Sequence, residues 1–296
     1  MVDPRSIHED PRVLPARPDL AAKYLEHRVK AARYVEGTRR SVVAPQAPVR
    51  SEPRPDGHLD TEVLKGEIVT VYDTNDEGWS WGQLQSDNYV GWLPTQALSD
   101  LGPEATHRVA VARTLVFPAP SIKVPPLESL SFGCRLAIAR IESQFAVTVA
   151  NEFVPLRHLV DVHHQERDFV MVAERFIGAP YLWGGKTNFG LDCSALVQLS
   201  LSACLVTSWR DSDMQEQSFI PKIEPAADHS NLKRGDLIFW DGHVAIVRDG
   251  STLIHANGHH MAVAIEPIAD AVARNRAAGL EISSVRRLEG LARKDQ

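Results

Sequence analysis

The chain has 296 residues, 44% of them hydrophobic and 24% charged, which is the composition of an ordinary folded protein and excludes a disordered tail or a collagen-like fibre. Its formal charge is -6, from 32 basic and 38 acidic residues, so it lacks the overall basic footprint of a nucleic-acid binder or of a protein that docks on anionic lipid. At roughly 100–200 residues per domain, the length predicts two or three domains.

No stretch approaches the roughly 18–20 apolar residues of a membrane span. The opening MVDPRSIHEDPRVLPARPDL is polar and proline-rich. It has neither the apolar run of about 7–15 residues of a secretory leader nor a lipid-anchor motif. A cytoplasmic protein without membrane or nucleic-acid partners is the expectation. Cys134, Cys193 and Cys204 are odd in number and lack zinc-like spacing, so neither a disulfide framework nor a metal site is expected. With no phosphate-binding glycine loop, no cofactor is expected either.

Residues 1–40 form an N-terminal extension. Leu20, Ala21, Tyr24, Val29, Ala32 and Val35 recur at near-helical spacing before Gly37. That spacing predicts a helix over 18–36. Residues 41–100 change texture to short β-rich runs, EIVTVYD, GWSWGQLQ and NYVGWLP, separated by Asn, Asp and Gly. Strands this short and close should curl into a small barrel. The residues Gly66-Glu67, Gly78-Trp79 and Tyr89-Val90-Gly91-Trp92 resemble the pattern of a bacterial SH3 domain. Trp79, Trp81 and Trp92 are expected in the barrel core rather than on a ligand platform. Residues 101–160 repeat the β texture more faintly in THRVAVART, CRLAIARIE and QFAVTVANEFVP, which predicts a second, diverged SH3-like barrel.

From 161 to 296 the pattern becomes α+β. DFVMVAERFIG reads as a helix closed by Gly178. A Gly/Trp-rich turn and the apolar helix CSALVQLSLSACLV follow. The strands DLIFW, HVAIVRD and TLIHAN, the helix ADAVARNRAA and the strand LEISSVRRL complete the segment.

Three residues there could carry chemistry. Cys193 follows Tyr181-Leu182-Trp183-Gly184-Gly185 and opens a helix that Asp192 can cap. Unpaired N–H groups at a helix start should lower its pKa and favour the thiolate. His243 follows a Gly turn and begins an apolar strand, where an imidazole can take the thiol proton and later give it to a leaving amine. His255 ends the next strand, twelve residues on. A hairpin would set the two rings side by side and let His255 hold His243 in its useful tautomer. His255, His259 and His260 lie close together, but no carboxylate or cysteine completes a metal-ligand set at suitable spacing.

Together these motifs resemble the NlpC/P60 family of cysteine peptidases, whose catalytic domain is papain-like. The matches are Tyr181, Trp183, Gly184, Gly185, Asp192, Cys193, Ser194 and Val197, then Gly235, Asp236, Gly242, His243, Val244, Ile246, Val247 and His255. The fold class implied is α+β, a papain-like catalytic domain behind one or two small SH3-like barrels. The resemblance implies Cys193 as nucleophile, His243 as base, His255 as orienter and Tyr181 as a help to the oxyanion. It also places Trp183, Ser194 and Asp192 at the substrate.

Members with N-terminal SH3-like barrels cut the γ-D-glutamyl bond of murein peptides that carry a free N-terminal L-alanine. There an Asp-Ser pair after the nucleophile helix meets the ammonium group, and Asp211-Ser212 takes that position here. A barrel tyrosine and an acidic residue assist, for which Tyr89 and Glu52 are the candidates. The expected activity is therefore an endopeptidase acting on murein tripeptide or tetrapeptide in cell-wall recycling. Two alternatives stand beside it: an exported hydrolase acting on intact peptidoglycan, and an inactive wall-binding SH3 protein.

Overall fold

The alternation in EIVTVYD and its neighbours sends side chains to opposite faces of strands too short for a wide sheet. In the computed structural model, which describes residues 4–288, seven such strands close one sheet. They are β1 (Thr38–Val42), β2 (Gln46–Arg50), β3 (Leu59–Leu64), β4 (Ile68–Thr74), β5 (Trp79–Leu84), β6 (Val90–Pro94) and β7 (Leu98–Ser99), in the order β3-β2-β6-β5-β4-β1-β7. Val42, Ala47, Val49, Val63, Val69, Leu84, Tyr89 and Leu93 fill the interior. A 3-10 turn, Thr95–Ala97, precedes the last strand.

Residues 107–161 repeat this wiring. The strands are β8 (His107–Val109), β9 (Arg113–Val116), β10 (Glu128–Ser131), β11 (Arg135–Leu136), β12 (Ile138–Glu142), β13 (Phe145–Thr148), β14 (Phe153–Pro155) and β15 (Leu159–Asp161). β8 pairs with β11 and β15, β9 with β10, and β13 with β12 and β14. A bridge from Phe117 to Phe153 stands where Arg50 meets Trp92 in the first barrel. A 3-10 turn, Leu156–His158, again precedes the last strand. Phe117, Phe145, Val147 and Phe153 form the core here.

The helix expected over 18–36 is absent. That stretch holds a 3-10 turn at Lys23–Leu25 and a parallel pair of two-residue strands, Ala21–Ala22 with Tyr34–Val35. Leu20, Ala21, Ala22 and Leu25 are buried, whereas Tyr24 is 60% exposed, so the apolar residues do not share a helical face. Tertiary packing overrides the local propensity. Leu20 packs with Trp81 and Val90 of the first barrel, and the Val90 N–H donates to the Arg12 carbonyl at 2.8 Å. The Arg17 guanidinium carbon lies 4.5 Å from the Trp81 ring centroid and 4.9 Å from that of Trp92. Trp79 and Trp81 are core residues.

The chain divides after Val162 into two units. The second is built on a six-stranded antiparallel sheet. Its strands are β16 (Lys222–Ile223), β17 (Asp236–Trp240), β18 (His243–Val247), β19 (Thr252–Asn257), β20 (Ala262–Pro267) and β21 (Ser284–Arg287), in the order β16-β21-β17-β18-β19-β20. The helices are α1 (Phe169–Glu174), α2 (Cys193–Ala203), α3 (Ser212–Ser218) and α4 (Ile268–Ala277). Every residue of α2 except Ser202 is buried, which explains why its sequence reads as a nearly unbroken apolar run. It packs on β18 and β19, so its first residue meets the start of β18. Among the described residues no helix is long and apolar enough to cross a membrane.

Candidate active site

Cys193 opens α2 behind a loop that its glycines make possible. A Cβ on Gly185 would come 2.4 Å from the Gly190 carbonyl oxygen, and one on Gly190 would come 2.6 Å from Leu182 Cβ. No side chain fits at either position. Asp192 caps α2, its Oδ1 accepting from the Ala195 N–H at 2.8 Å and its Oδ2 from the Gly184 N–H at 2.9 Å. Arg210, 1% exposed, grips the same carboxylate with both ends of its fork, at 2.9 Å to Oδ1 and 2.7 Å to Oδ2. It also donates to Ser194 Oγ and to the Gly185 carbonyl. Ser194 donates to Asp192. These bonds tie Asp192 and Ser194 into the loop that carries Cys193.

The sulfur lies against the backbone N–H groups of Val244 and Ser194. Val244 directly follows His243, so the Cys193 sulfur sits beside the backbone of the candidate base. The two-residue turn Asp241-Gly242, with Gly242 at φ 70°, places His243 at the mouth of β18. Its ring lies 5.8 Å from that of Trp240. β18 and β19 pair antiparallel, and His243 Nε2 meets His255 Nδ1 at 2.8 Å.

The expected lowering of the thiol pKa is not found. Burial, with the Asp192 charge behind it, pushes Cys193 up to about 12. Burial, then His255 and Arg274, pushes His243 down to about 3. Desolvation of a charged form outweighs the partial charge of a helix terminus. The resting pair is therefore a neutral thiol and a neutral imidazole.

Two residues that carried no motif complete the cluster. His255, 1% exposed, meets Glu266 Oε1 through Nε2 at 2.7 Å. Arg274 binds both oxygens of Glu266, at 2.6 Å and 2.5 Å. The strand β20 that carries Glu266 pairs with β19 and sets His255 opposite Ala264. Glu266 is thus the diagonal, same-face neighbour of His255. The alternation in AVAIEP was the available signal for this strand; the register that aims Glu266 at His255 was not legible. His255, His260 and Glu266 bring ligand-type atoms within 4.8 Å of one another, so the fold supplies a carboxylate that sequence spacing did not. Both nitrogens of His255 and both oxygens of Glu266 are in hydrogen bonds, which link His243, His255, Glu266 and Arg274 in one relay of contacts.

Tyr181 bridges to Leu191, next to the nucleophile loop. Burial and then the nearby Cys193 raise its pKa, which keeps the phenol protonated as a hydrogen-bond donor. Trp183 is 59% exposed, beside exposed Leu182 and Phe189, and forms an apolar rim on the same loop. Asp211 and Ser212 are half-buried at the start of α3. They are held between two anchors, Arg210 and Gln215. The Gln215 amide donates to the Ser194 carbonyl at 3.0 Å and the Trp209 carbonyl at 2.8 Å.

The two barrel candidates lie in the other unit. Tyr89 is 4% exposed among the barrel's core residues, and packing accounts for its burial. Glu52 is on an exposed bend, ion-paired with Arg54.

Comparison with known proteins follows the same division. Residues 49–98 match the bacterial dipeptidyl-peptidase Sh3 domain, and residues 178–280 match the NlpC/P60 family. A gamma-D-glutamyl-L-lysine dipeptidyl-peptidase of Bacillus subtilis is 31% identical over 68% of this chain and 73% of its own length. One of the same name from Bacillus cereus is 26% identical over 71% of each chain. A crystal structure of an NlpC/P60 family protein from Bacillus cereus superposes with a TM-score of 0.70 at 21% identity. It covers 86% of this chain and 100% of that one, and it shares the fold. The chain belongs to the NlpC/P60 family and is a peptidase of the cysteine type.

Proposed function

We propose that this peptidase hydrolyses the γ-D-glutamyl–diamino acid bond of murein tripeptides and tetrapeptides that carry a free N-terminal L-alanine. The observation that carries the reading is the Cys193 sulfur set beside the backbone of a base whose imidazole is hydrogen-bonded to a second histidine. The names of the Bacillus relatives supply the bond type. The substrate's ammonium group is assigned to Asp211, with Ser212 beside it, because Arg210 and Gln215 hold that pair at the edge of the nucleophile loop. A carboxylate facing an ammonium discriminates strongly against a neutral end.

In this reaction the sulfur attacks the γ-glutamyl carbonyl as its proton passes to His243. The resting neutral pair makes this a general-base step rather than attack by a standing thiolate. Tyr181 and the Cys193 backbone N–H serve as donors to the oxyanion. His243 then protonates the departing amine and the C–N bond breaks, leaving a thioester. Water, losing its proton to His243, attacks that thioester; the C–S bond breaks and the thiol regains its proton. Peptides already released from the wall suit a selector for a free amine, which supports a role in recycling.

The test is hydrolysis of L-Ala-γ-D-Glu-diaminopimelate. Cys193→Ala abolishes turnover, and N-acetylating the tripeptide lowers kcat/KM by about 100-fold or more. Turnover by the alanine variant would end the mechanism. Equal cleavage of the acetylated peptide, or preference for whole sacculi, would end the substrate assignment.

A further inference from the structure

The relay behind the base extends two residues beyond the histidine pair. We infer that Glu266 and Arg274 are positioning residues that fix the proton map of both imidazoles, and so decide which nitrogen of His243 can act as base. The inference rests on the cysteine-peptidase chemistry of the site and not on the identity of the substrate.

Arg274 stands on α4, which begins directly after the strand that carries Glu266. Its fork takes both carboxylate oxygens of Glu266, whose side chain is 7% exposed. A guanidinium is always charged and can only donate. A carboxylate held in its fork stays ionised, and an ionised carboxylate can only accept. Glu266 Oε1 therefore accepts from His255 Nε2 at 2.7 Å, so that nitrogen carries the hydrogen. Burial lowers the pKa of His255, and the neutral ring this favours has one N–H, which leaves His255 Nδ1 as an acceptor. It must then receive its 2.8 Å bond from His243 Nε2–H. His243 keeps a single lone pair, on Nδ1, the ring nitrogen away from His255. That is the base.

The alternative map shows why the outer pair matters. If position 266 could donate, His255 Nε2 would accept, Nδ1 would carry the hydrogen, and His243 Nε2 would accept in turn. The hydrogen of His243 would then sit on Nδ1, with no lone pair left for the thiol proton. The choice between a working and an idle base is made about two side chains away, by a salt bridge that touches neither substrate nor sulfur. Arg274 is 28% exposed and Glu266 is nearly buried, so the map is anchored from the protein side and not by bulk water.

Long-range proton–nitrogen correlation on histidine-labelled protein at neutral pH reads the map directly and needs no substrate. The expected result is hydrogen on Nε2 of both His243 and His255, with both Nδ1 atoms bare. Hydrogen on Nδ1 of His243 in the native protein would overturn the inference. Glu266→Gln can donate, and it should invert the map. It should lower kcat on the tripeptide by about 100- to 10,000-fold with KM little changed, the pattern of a wrong tautomer. Glu266→Asp, which keeps the charge, should restore part of kcat. Arg274→Met should lower kcat less than Glu266→Gln does. A folded Glu266→Gln variant with native kcat, or one with an unchanged proton map, would overturn it as well. If the native map is as stated and the tripeptide is not cleaved, the substrate assignment fails and this inference stands.

Discussion

At the residue scale the site holds its reactive pair uncharged. The sequence placed Cys193 at a helix start and so predicted a thiolate, but local position is only one of the forces on the sulfur. Burial raises the thiol to about 12, and burial first of all lowers His243 to about 3. Both shifts oppose an ion pair, and between those limits both groups stay neutral. Two outcomes follow. Alkylation of Cys193 by iodoacetamide depends on the thiolate, so its rate should climb about tenfold per pH unit from pH 7 to 9 without levelling. A plateau below pH 8 would show a standing thiolate and refute the assignment. The pH profile of kcat/KM should also lack an acid limb near the usual imidazole value of about 6.5, stay flat from pH 5 to about 7, and fall above that only as the substrate's α-ammonium loses its proton near its ordinary value of about 8. The sequence pointed to the candidate residues, because the proposed nucleophile, base and orienter stand in short motifs. It did not show their protonation, which is set by burial and by Glu266 and Arg274 across a strand pairing.

At the element scale, legibility followed how local each cause was. β texture, turn residues and helix caps are local, and α1, α2, α4 and the strands β4, β5 and β6 were legible from them, whereas the turn-rich reading of 42–53 hid β2 (Gln46–Arg50). The second barrel carries a further signal. Trp92-Leu93-Pro94 and Phe153-Val154-Pro155 each lead into a 3-10 turn and then Leu98 or Leu159. The N-terminal segment was misread because its cause is distant. Leu20 and Val35 pack against Trp81 and Val90 rather than along one helical face. Arg17 is the clearest case. Its guanidinium lies over two tryptophan rings and bonds Asp73 at 2.5 Å and Asp19 at 2.9 Å. Cation–π contacts contribute about 0.5–2 kcal/mol each, more when desolvated. Arg17→Ala should therefore lower the urea stability of the barrel unit by about 1–3 kcal/mol, read from tryptophan fluorescence. Arg17→Lys should recover less than half of that, because a point charge cannot stack as a planar fork does. An alanine variant with the native midpoint would show that the strap is held by its apolar residues alone.

At the scale of the whole molecule, the groups that make the site also set its response to acid. His243 and His255 have lowered pKa values, burial being the first cause for each. Glu266 is lowered because Arg274 and His255 hold its charged form against burial. Above about pH 6.5 the histidines are neutral whether the chain is folded or not, and they add no pH dependence. As pH falls below that value the unfolded chain takes up protons on these histidines while the folded chain does not. Stability then declines by about 1.4 kcal/mol per pH unit for each proton of difference. For His243 the decline continues until the folded ring itself titrates, near 3. Glu266 acts with the same sign lower down, since its stabilising charge is present above the ordinary carboxyl value and is lost as pH falls. Replacing His243 with Gln removes one of these uptake sites without disturbing the Glu266–Arg274 pair. Urea or thermal melts from pH 7 to 4 should therefore fall less steeply for His243→Gln than for the native chain, with the two curves parallel above pH 7. Equal slopes across the acid range would mean that the folded imidazole titrates near its ordinary value. The neutral resting pair, and with it the general-base form of the first step, would then have to be abandoned.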